Sequence, residues 1–421
     1  MAKTKSKSPP KVKDILHSTN APLVKSLPKK SSQRPIEDLL TEAAELLEQS
    51  QPELALPLAE EALRRLESER QSTSEDNDID TLLRLAAEGK PTLPAALTLE
   101  AEIQLAMGNV DAARRSFTRV TQIDPDGALV SAEPWLWLAQ LCEGGGGESI
   151  ANFEKATEVL RNEIEVLEDD EAKSLDQTTT ILDEKKAKLA NALCAMAEVY
   201  MTDLSWEEDA EQRCETLVTE AVAVCPERLS AGVLQTLASV RISQTRVDDA
   251  RQALKRSIDI WKDIPQEIVD NDERRPDFPT RVSLSRLLME VEQEAEAFEV
   301  LEGLIREDDQ SVECWYLGGW CHVLMSQKPD VVPETQANNQ ETAKTWLDNC
   351  LRLYRVQQYE DERLRDHAVE LVQQLNKILG VEDQMDDDEA WEDDEEEEDG
   401  DEDLEVEVET NGHEDGDVEM N

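Results

Sequence analysis

The residues of this chain that could do chemistry are acids, histidines, cysteines and one glycine run, and their spacing matches no catalytic motif. The run GGGG at 144–147 has no Lys-Ser or Lys-Thr after it, and Glu143 and Glu148 flank it, so it would repel a phosphate. The sequence contains no HExxH, GxSxG or GxGxxG pattern. The four histidines are isolated from one another: His17, His322, His367 and His413. We therefore predict no catalytic residue, no metal site, no cofactor and no enzymatic activity.

Acidic clusters and cysteines give no stronger signal for a site. Adjacent acids such as EDDE at 168–171 arise by chance among 96 acidic residues, and their spacing is not that of an EF-hand loop. The seven cysteines form no CxxC pair, their number is odd, and most have apolar helical neighbours. Cysteine in such surroundings behaves as a small hydrophobic residue. We interpret the cysteines as reduced thiols of an intracellular protein.

Charge is distributed very unevenly along the 421 residues, whose net charge is −53. Residues 1–34 carry a net charge of +8, residues 382–421 hold 24 carboxylates and no Lys or Arg, and the rest carries −37. An acidic body repels nucleic acid and anionic membranes and attracts basic proteins. We expect a basic protein partner and no direct nucleic-acid or membrane partner. No apolar leader segment and no run of 18 apolar residues is present, so we expect neither secretion nor membrane insertion.

These composition shifts predict three regions. Residues 1–34 are rich in Lys, Ser and Pro and are predicted to be a disordered basic head, because they cannot bury enough apolar surface to offset the entropy of ordering. Residues 382–421 are predicted to be a disordered acidic tail. Between them, residues 35–381 show apolar positions at helical spacings of three and four and no sustained strand alternation. The central region is predicted to be all-α.

Small residues recur at fixed intervals in the stretch EAEIQLAMGNVDAARRSFTRVTQIDP, which runs from residue 100 to 125. In a pair of antiparallel helices, the first helix needs a small residue where the second crosses it, and the second needs small residues facing back. Within a frame of 94–127, these positions hold Ala101 and Ala113, with Gly108 at the turn, Phe117 filling the gap and Pro125 before the next unit. This spacing resembles the tetratricopeptide repeat (TPR), which has a period of 34 residues.

The same template fits other parts of the central region. Units at 36–69, 231–264 and 278–311 match it without a gap, and three more, beginning near residues 135, 193 and 315, match it with altered turns. The turn of the first of these three is EGGGGES at 143–149, and the last contains a Pro-containing insertion at 328–340. A final helix at 360–379, with Gly380 just past its end, would cap the array. We predict a TPR superhelix of about seven degenerate units plus this capping helix.

The TPR resemblance implies which residues meet a partner, because positions 2, 5, 9 and 12 of each first helix line the concave groove of such arrays. Carried over position by position, this register selects seven candidate residues: Glu102, Glu133, Gln140, Glu198, Glu313, Tyr316 and Trp320. The groove would be acidic in the middle and aromatic toward its C-terminal end, which suits a basic segment that offers Arg and Lys. The alternative for Tyr316 and Trp320 is that they pack between units. Arrays that bind acidic chaperone tails hold Lys and Asn at positions 5 and 9, but the unit at 94–127 has Thr98 and Glu102, so we exclude that partner.

Three features together resemble one family: the basic head MAKTKSKSPPKVKDI, the degenerate seven-unit array, and the acidic tail DDDEAWEDDEEEE with Trp391. This is the fungal family of dedicated assembly chaperones for the large-subunit ribosomal protein of the L-four family. The resemblance implies an escort that holds a basic ribosomal protein, keeps it soluble and delivers it for assembly of the large ribosomal subunit. It also implies a cytoplasmic and nuclear protein, and we expect a monomer that binds one client.

Two other functions remain open on the sequence. A histone chaperone is another acidic binder of basic proteins and is sometimes built on TPR units, although its acidic run is often placed within the array rather than after it. A scaffold subunit of a larger complex would use the tail for solubility alone and would bind partners that are not basic.

Overall fold

The computed structural model describes residues 34–72, 79–170, 177–264 and 272–381, and within these ranges all regular secondary structure is helical. The predicted tail at 382–421, and all of the predicted head at 1–34 except Arg34, lie outside the described residues. The helices are α1 (Ile36–Glu48), α2 (Pro52–Ser72), α3 (Ile79–Ala87), α4 (Leu93–Ala106), α5 (Val110–Ile123), α6 (Glu133–Leu141), α7 (Gly146–Asp170), α8 (Gln177–Met201), α9 (Ala210–Val224), α10 (Ala231–Ser243), α11 (Val247–Trp261), α12 (Phe278–Glu290), α13 (Glu294–Glu307), α14 (Val312–Gln327), α15 (Pro333–Gln357) and α16 (Glu362–Leu379). A short 3-10 helix, Glu227–Leu229, precedes α10.

Apart from α3, the helices form seven successive pairs, and α16 follows the last pair. The first helices of the pairs are α1, α4, α6, α8, α10, α12 and α14, and each is followed by its second helix. The helices pack against each other within several pairs, between the neighbouring first helices α12 and α14, and between α14 and the final helix α16. The prediction of an all-α TPR protein with about seven units and a final helix is confirmed.

The turn between the first and second helix repeats the same backbone geometry in four pairs. Gly108 has φ +77°, and its N–H and that of Asn109 donate to the carbonyls of Leu105 and Gln104 at 2.9 and 2.8 Å. This left-handed cap satisfies carbonyls at the end of α4. The equivalent residues of three other turns, Ser50, Thr245 and Glu292, also have φ between 57° and 64°. The sequence pattern identified this turn only where it holds glycine.

The small and apolar residues that define the repeat are buried. Ala101, Ala113 and Phe117 of the 94–127 unit have no exposed surface, and they pack with Leu105, Trp137 and Leu138. The signature positions of other units are also fully or almost fully buried: Leu39, Ala43, Ala55, Ala62, Leu234, Ala238, Ala250, Leu254, Ser285, Leu288, Ala297 and Leu301. The small residues therefore serve close helix packing, as the sequence predicts.

The chain divides into two compact units, one up to Val240 and one from Arg241 onward. The first unit contains a large apolar core between α6 and α10, centred on residues such as Leu160 and Leu193, and smaller clusters around α4. The second unit has an apolar core between α14 and α16, including Leu347, Leu371 and Val372. All seven cysteines carry free thiols and six of them are buried. None of the described helices combines the length and the apolar character needed to span a bilayer.

Two sequence predictions about the elements need correction, and one helix was not predicted. The expected insertion at 328–340 is a turn only up to residue 332, because α15 begins at Pro333. Proline is compatible with the first helical position, since its N–H is not needed there and its φ is already helical. The glycine-rich turn is shorter than expected, because α7 begins at Gly146. The helix α3 was not predicted, since it belongs to no repeat.

Candidate partner-binding surfaces

In the first unit, the predicted residues Glu102, Glu133 and Glu198 lie on the successive first helices α4, α6 and α8; we call these three the acidic surface. Glu102 and Glu133 are close enough for their charges to interact, and both interact with the ammonium group of Lys188 on α8. Lys188 donates a hydrogen bond to Oε1 of Glu133. Three helices separated in sequence thus bring two carboxylates and one cation together.

The two neighbouring carboxylates respond in opposite ways to this environment. Burial and the nearby charge of Glu133 raise the pKa of Glu102, and the charge of Lys188 only partly offsets this. Burial also acts to raise the pKa of Glu133, but the hydrogen bond and charge of Lys188 outweigh it, so the pKa of Glu133 is lowered. Glu133 is already paired within the protein. Glu102 accepts no hydrogen bond from the described residues and is the carboxylate that a cation would stabilise most.

The other two candidates of the first unit lie in different surroundings. Glu198 has an exposed side chain, and its Oε1 accepts a hydrogen bond of 3.3 Å from the hydroxyl of Thr236 on α10. Although its surface is accessible to solvent, the packed helices around the Glu198 carboxylate partly desolvate it and raise its pKa, and the Thr236 hydrogen bond opposes this shift. Gln140 is exposed near the C-terminal end of α6. Cys194, which the repeat register also places on this face, is instead buried.

In the second unit, Glu313, Tyr316 and Trp320 lie one turn apart along α14. Glu313 forms an ion pair with Arg286 of α12. The Tyr316 hydroxyl and Nδ1 of His367 on α16 share a hydrogen bond of 2.7 Å, and the Trp320 ring meets the His367 ring edge-on at 5.3 Å. Burial raises the pKa of Tyr316 to about 12, so its hydroxyl stays neutral. The two aromatic residues therefore do pack against the next helix, while both remain half-buried rather than fully enclosed.

These aromatic residues form the wall of a pocket of about 580 Å³, which we call the aromatic pocket. Its apolar floor consists of Met289, Leu317 and Leu364, which are all buried. The pocket residues are Arg286, Met289, Glu290, Glu313, Tyr316, Leu317, Trp320, Leu324, Asp361, Arg363 and Leu364. Its walls come from the first helices α12 and α14 and from the start of the final helix α16. A bulky apolar side chain would fit this pocket, with polar groups at the rim.

Sequence reasoning missed Lys188, Thr236, Arg286 and His367. Lys188 lies on α8 before the first residue of its repeat frame, because α8 begins at residue 177, well ahead of the template. Arg286 could have been found, since it occupies position 9 of the 278–311 unit, a groove position that was not examined for cations. Within the described parts of the chain, no group of three His, Cys, Asp or Glu residues could hold a metal ion. The surfaces offer carboxylates, two cations that are paired within the protein, Lys188 and Arg286, and an apolar pocket. These groups are suited to binding a partner.

Comparison with known proteins places this architecture in a family. A protein of Emericella nidulans named probable assembly chaperone of rpl4 is 42% identical over 371 residues, which cover 84% of each chain. The chain belongs to the family of rpl4 assembly chaperones. Another member of this family, the probable assembly chaperone of rpl4 from Schizosaccharomyces pombe, is 31% identical over 76% of this chain and 93% of its own length.

A solved structure of this family supports the assignment. The structure named Assembly Chaperone of RpL4 (Acl4), residues 1–338, is 42% identical and superposes with a TM-score of 0.59, covering 69% of this chain and 97% of its own. No protein-family model matches the sequence. The basic head, the repeats and the acidic tail led us to predict this family, and these comparisons confirm the prediction.

Proposed function

We propose that this chain is a dedicated chaperone of the ribosomal protein rpl4, which holds a basic segment of that client and delivers it for assembly of the large ribosomal subunit. The observation that carries the proposal is the acidic surface, where Glu102, Glu133 and Glu198 lie on three successive first helices. The names of the family members supply the client. Binding, rather than catalysis, is the proposed activity.

Electrostatic attraction explains how the carboxylates of the acidic surface could hold a basic client. Arginine and lysine side chains gain charge-assisted hydrogen bonds to carboxylates, and Glu102 and Glu198 have pKa values raised above the ordinary range, so a client cation would stabilise their ionised forms. A basic segment held by protein carboxylates is kept from other polyanions. Ribosomal RNA, with its denser charge, could then displace the chaperone at the assembly site.

The aromatic pocket of the second unit is a further proposed contact. A client residue with an apolar or arginine side chain could lie against Trp320 and Tyr316, because their rings are half-exposed. The candidate contacts Gln140 and Glu313 remain predictions, and the pairing of Glu313 with Arg286 means that a client cation would have to compete for it.

The direct test is the binding of the purified full chain to purified rpl4, measured by calorimetry at two salt concentrations. We expect one client per chain, with an affinity that falls as salt increases, and weaker binding of a core histone of similar net charge. Equal affinity for rpl4 and the histone would show a general chaperone of basic proteins. Binding of rpl4 that does not depend on salt would contradict the role of the carboxylates.

Two parts of the proposal concern the protein in the cell. We propose that it is a monomer found in both cytoplasm and nucleus, and that residues 1–34, with Lys3, Lys5, Lys7, Lys11 and Lys13, contribute to nuclear import. A fusion of residues 1–34 to a fluorescent reporter too large to diffuse through nuclear pores tests the import role. A purely cytoplasmic reporter would contradict it.

A further inference from the structure

The loop between α8 and α9 presents an exposed tryptophan. It comprises residues 202–209, whereas the turns that follow α1 and α4 are only residues 49–51 and 107–109. Trp206 in this loop is 77% exposed, more than any other large apolar side chain in the described ranges. One exposed apolar side chain is ordinary by itself. This one, however, lies in a loop whose extra residues are not needed to join the two helices.

The loop holds Trp206 in a fixed position against the start of α7. A Cβ atom at Gly146 would lie 2.9 Å from Cβ of Asp203 and from Cγ of Leu204, so only glycine permits this close approach. Leu204 is buried, and its N–H donates to the carbonyl of Val199 at 3.0 Å. The indole N–H of Trp206 donates to the carbonyl of Asp203 at 3.1 Å. The loop therefore orients the ring and leaves most of its surface accessible.

A contact between an arginine and an aromatic ring already exists beside this loop. The Arg213 guanidinium on α9 lies 5.1 Å from the centre of the Tyr200 ring and donates to the Tyr200 hydroxyl. The Nε–H of Arg213 also donates to Oδ2 of Asp209, the last residue of the loop, at 2.7 Å. An aromatic ring and a carboxylate together thus hold one guanidinium group within the protein.

Trp206 and its neighbours offer the same groups without an internal cation. Among the described residues, no cation and no second ring stacks on Trp206. The carboxylates of Asp203, Glu207 and Glu208 form no ion pair with any described residue, and Asp203 and Glu208 are exposed. We propose that this loop binds an arginine side chain of the basic client, with the guanidinium group stacked on Trp206. The identity of the partner rests on the proposed function.

The chemistry of the loop favours arginine over other partners. Tryptophan gives the strongest cation–aromatic contact of the aromatic side chains, and the planar guanidinium group can stack on the ring while its edge donates to carboxylates. A nucleic-acid base could also stack on the ring, but its phosphates would be repelled by the three carboxylates. The same repulsion disfavours an anionic membrane surface.

The position of the loop connects it to the acidic surface. Glu198 lies on the last turn of α8, and its carbonyl accepts hydrogen bonds from the N–H and the hydroxyl of Thr202, at 3.0 and 2.8 Å. The loop therefore begins one helical turn after Glu198. A basic segment bound along the acidic surface can continue past Glu198 to the end of α8, where the loop extends the surface.

Fluorine NMR of the full chain tests the site without any client. Tryptophan is replaced throughout by 5-fluorotryptophan, and Trp206→Phe identifies the signal of Trp206. We expect a hexa-arginine peptide to shift this signal at least threefold more than a hexa-citrulline peptide, which has a similar shape without the charge. The signal of Trp135, which is buried, should stay in place. The double substitution Asp203→Asn and Glu208→Gln should reduce the Trp206 shift by at least half.

Two outcomes of this experiment would overturn the proposal. Equal shifts of the Trp206 signal with the arginine and citrulline peptides would show that the loop does not recognise a guanidinium group. A larger shift with a polyuridylate strand than with hexa-arginine would assign the ring to nucleic acid.

Client binding gives a second readout. We expect Trp206→Ala to bind rpl4 about two- to fivefold more weakly than the natural chain, the range for a cation–aromatic contact at an exposed site. The matched control is Leu54→Ala on α2, which truncates a side chain that is 60% exposed and should leave the affinity unchanged. Unchanged affinity of Trp206→Ala would show that the client does not reach the loop, and would overturn the proposal. Failure of the natural chain to bind rpl4 would defeat the proposed function, whereas an arginine-selective shift of the Trp206 signal would still establish the arginine site.

Discussion

Lys188 on α8 forms an ion pair with Glu133 on α6, 55 residues earlier in the chain, and its charge also acts on Glu102 of α4. One internal cation thus lies among the carboxylates that are proposed to bind a basic client. The pair is partly exposed, with 47% of the Lys188 side chain and 28% of the Glu133 side chain accessible, so a client cation can reach it. Lys188 is therefore an internal competitor of the client.

Removing this competitor should strengthen client binding. We expect Lys188→Met to increase the affinity for rpl4 by about 1.4- to 5-fold, because exposed ion pairs contribute about 0.2–1 kcal/mol. The matched control is Lys186→Met, which removes the same charge from the same helix but frees Glu168 of α7. Calorimetry of rpl4 binding by both variants measures this difference in affinity. An equal gain for the two variants would show that only net charge counts.

Glutamine substitutions at the two neighbouring carboxylates should have opposite effects on stability. The raised pKa of Glu102 means that the folded state favours its protonated form, so ionisation destabilises the protein as pH rises above the ordinary carboxyl range. The lowered pKa of Glu133 means that its ionised form stabilises the fold, and this contribution is lost as pH falls through the folded-state pKa.

At neutral pH we therefore expect Glu102→Gln to raise the Tm and Glu133→Gln to lower it. Both differences should shrink near pH 4 and below, where the carboxyl groups of the unfolded chain become protonated, at about 4.3 for glutamate. Thermal unfolding across this pH range provides the measurement. Shifts of the same sign at neutral pH would contradict the assigned environments.

The second unit should lose stability in mild acid through His322. This side chain is buried on α14, meets the Phe298 ring at 4.2 Å and lies 3.2 Å from the Asn339 amide oxygen. Burial lowers the pKa of His322, because the charged form would lose its hydration. As pH falls, His322 becomes protonated in the unfolded chain at a higher pH than in the folded protein. The contribution of neutral His322 to the free energy of unfolding is therefore fully present above about pH 6.5 and decreases as pH falls toward the lowered folded-state pKa.

We expect hydrogen exchange of α14 amides to accelerate below about pH 6.5 beyond the intrinsic pH dependence. His322→Gln should have lower stability throughout, by about 1–3 kcal/mol, but a smaller loss on acidification. His367→Gln is the control, because His367 is only half-buried. If the two variants showed the same pH profile, His322 would not be the titrating group.

Close packing of α14 on α15 should make Gly319 intolerant of a methyl group. A Cβ atom at Gly319 would lie 2.6 Å from Cγ of Leu347, whereas one at Gly303 on α13 would meet no atom within 4 Å. We expect Gly319→Ala to destabilise by about 1–3 kcal/mol through overpacking. We expect Gly303→Ala to stabilise by up to about 1 kcal/mol, the helix preference for alanine. Denaturant unfolding checks both, and similar effects of the two would contradict the packing.

The sequence predicted the repeats because their small residues have one physical purpose, close helix crossing. Ala101, Ala113 and Phe117 occur at fixed intervals and are fully buried for that reason. Turn geometry was predictable only at Gly108, because Ser50 and Thr245 adopt the same left-handed backbone without the residue type that signals it. The first residues of α15, 333–340, were assigned to an insertion, although proline, which breaks a helix interior, is well suited to the first position of a helix.

The repeat register selected the helices that carry the candidate side chains, but it did not predict their ion pairs. Register places Glu133 and Glu313 on the faces of first helices, yet it cannot show that Lys188 and Arg286 neutralise them. Such ion pairs join residues 27 to 55 positions apart, and they depend on helix lengths that depart from the 34-residue template. The sequence alone also cannot tell that the aromatic residues of α14 both pack on His367 and line a pocket.

The most direct test of the proposed function is the affinity of the full chain for rpl4 after charge reversal of Glu102, Glu133 and Glu198 to lysine. The matched control reverses Glu60, Glu165 and Glu211, which are exposed on the second helices α2, α7 and α9. We expect the triple reversal of the acidic surface to weaken binding by at least tenfold, since each contact contributes about 0.2–1 kcal/mol and the added lysines repel the client. The control should lose much less, with both variants fully helical by circular dichroism. Equal losses for the two folded variants would show that the client is held by overall charge or by another face, and would contradict the role of the acidic surface.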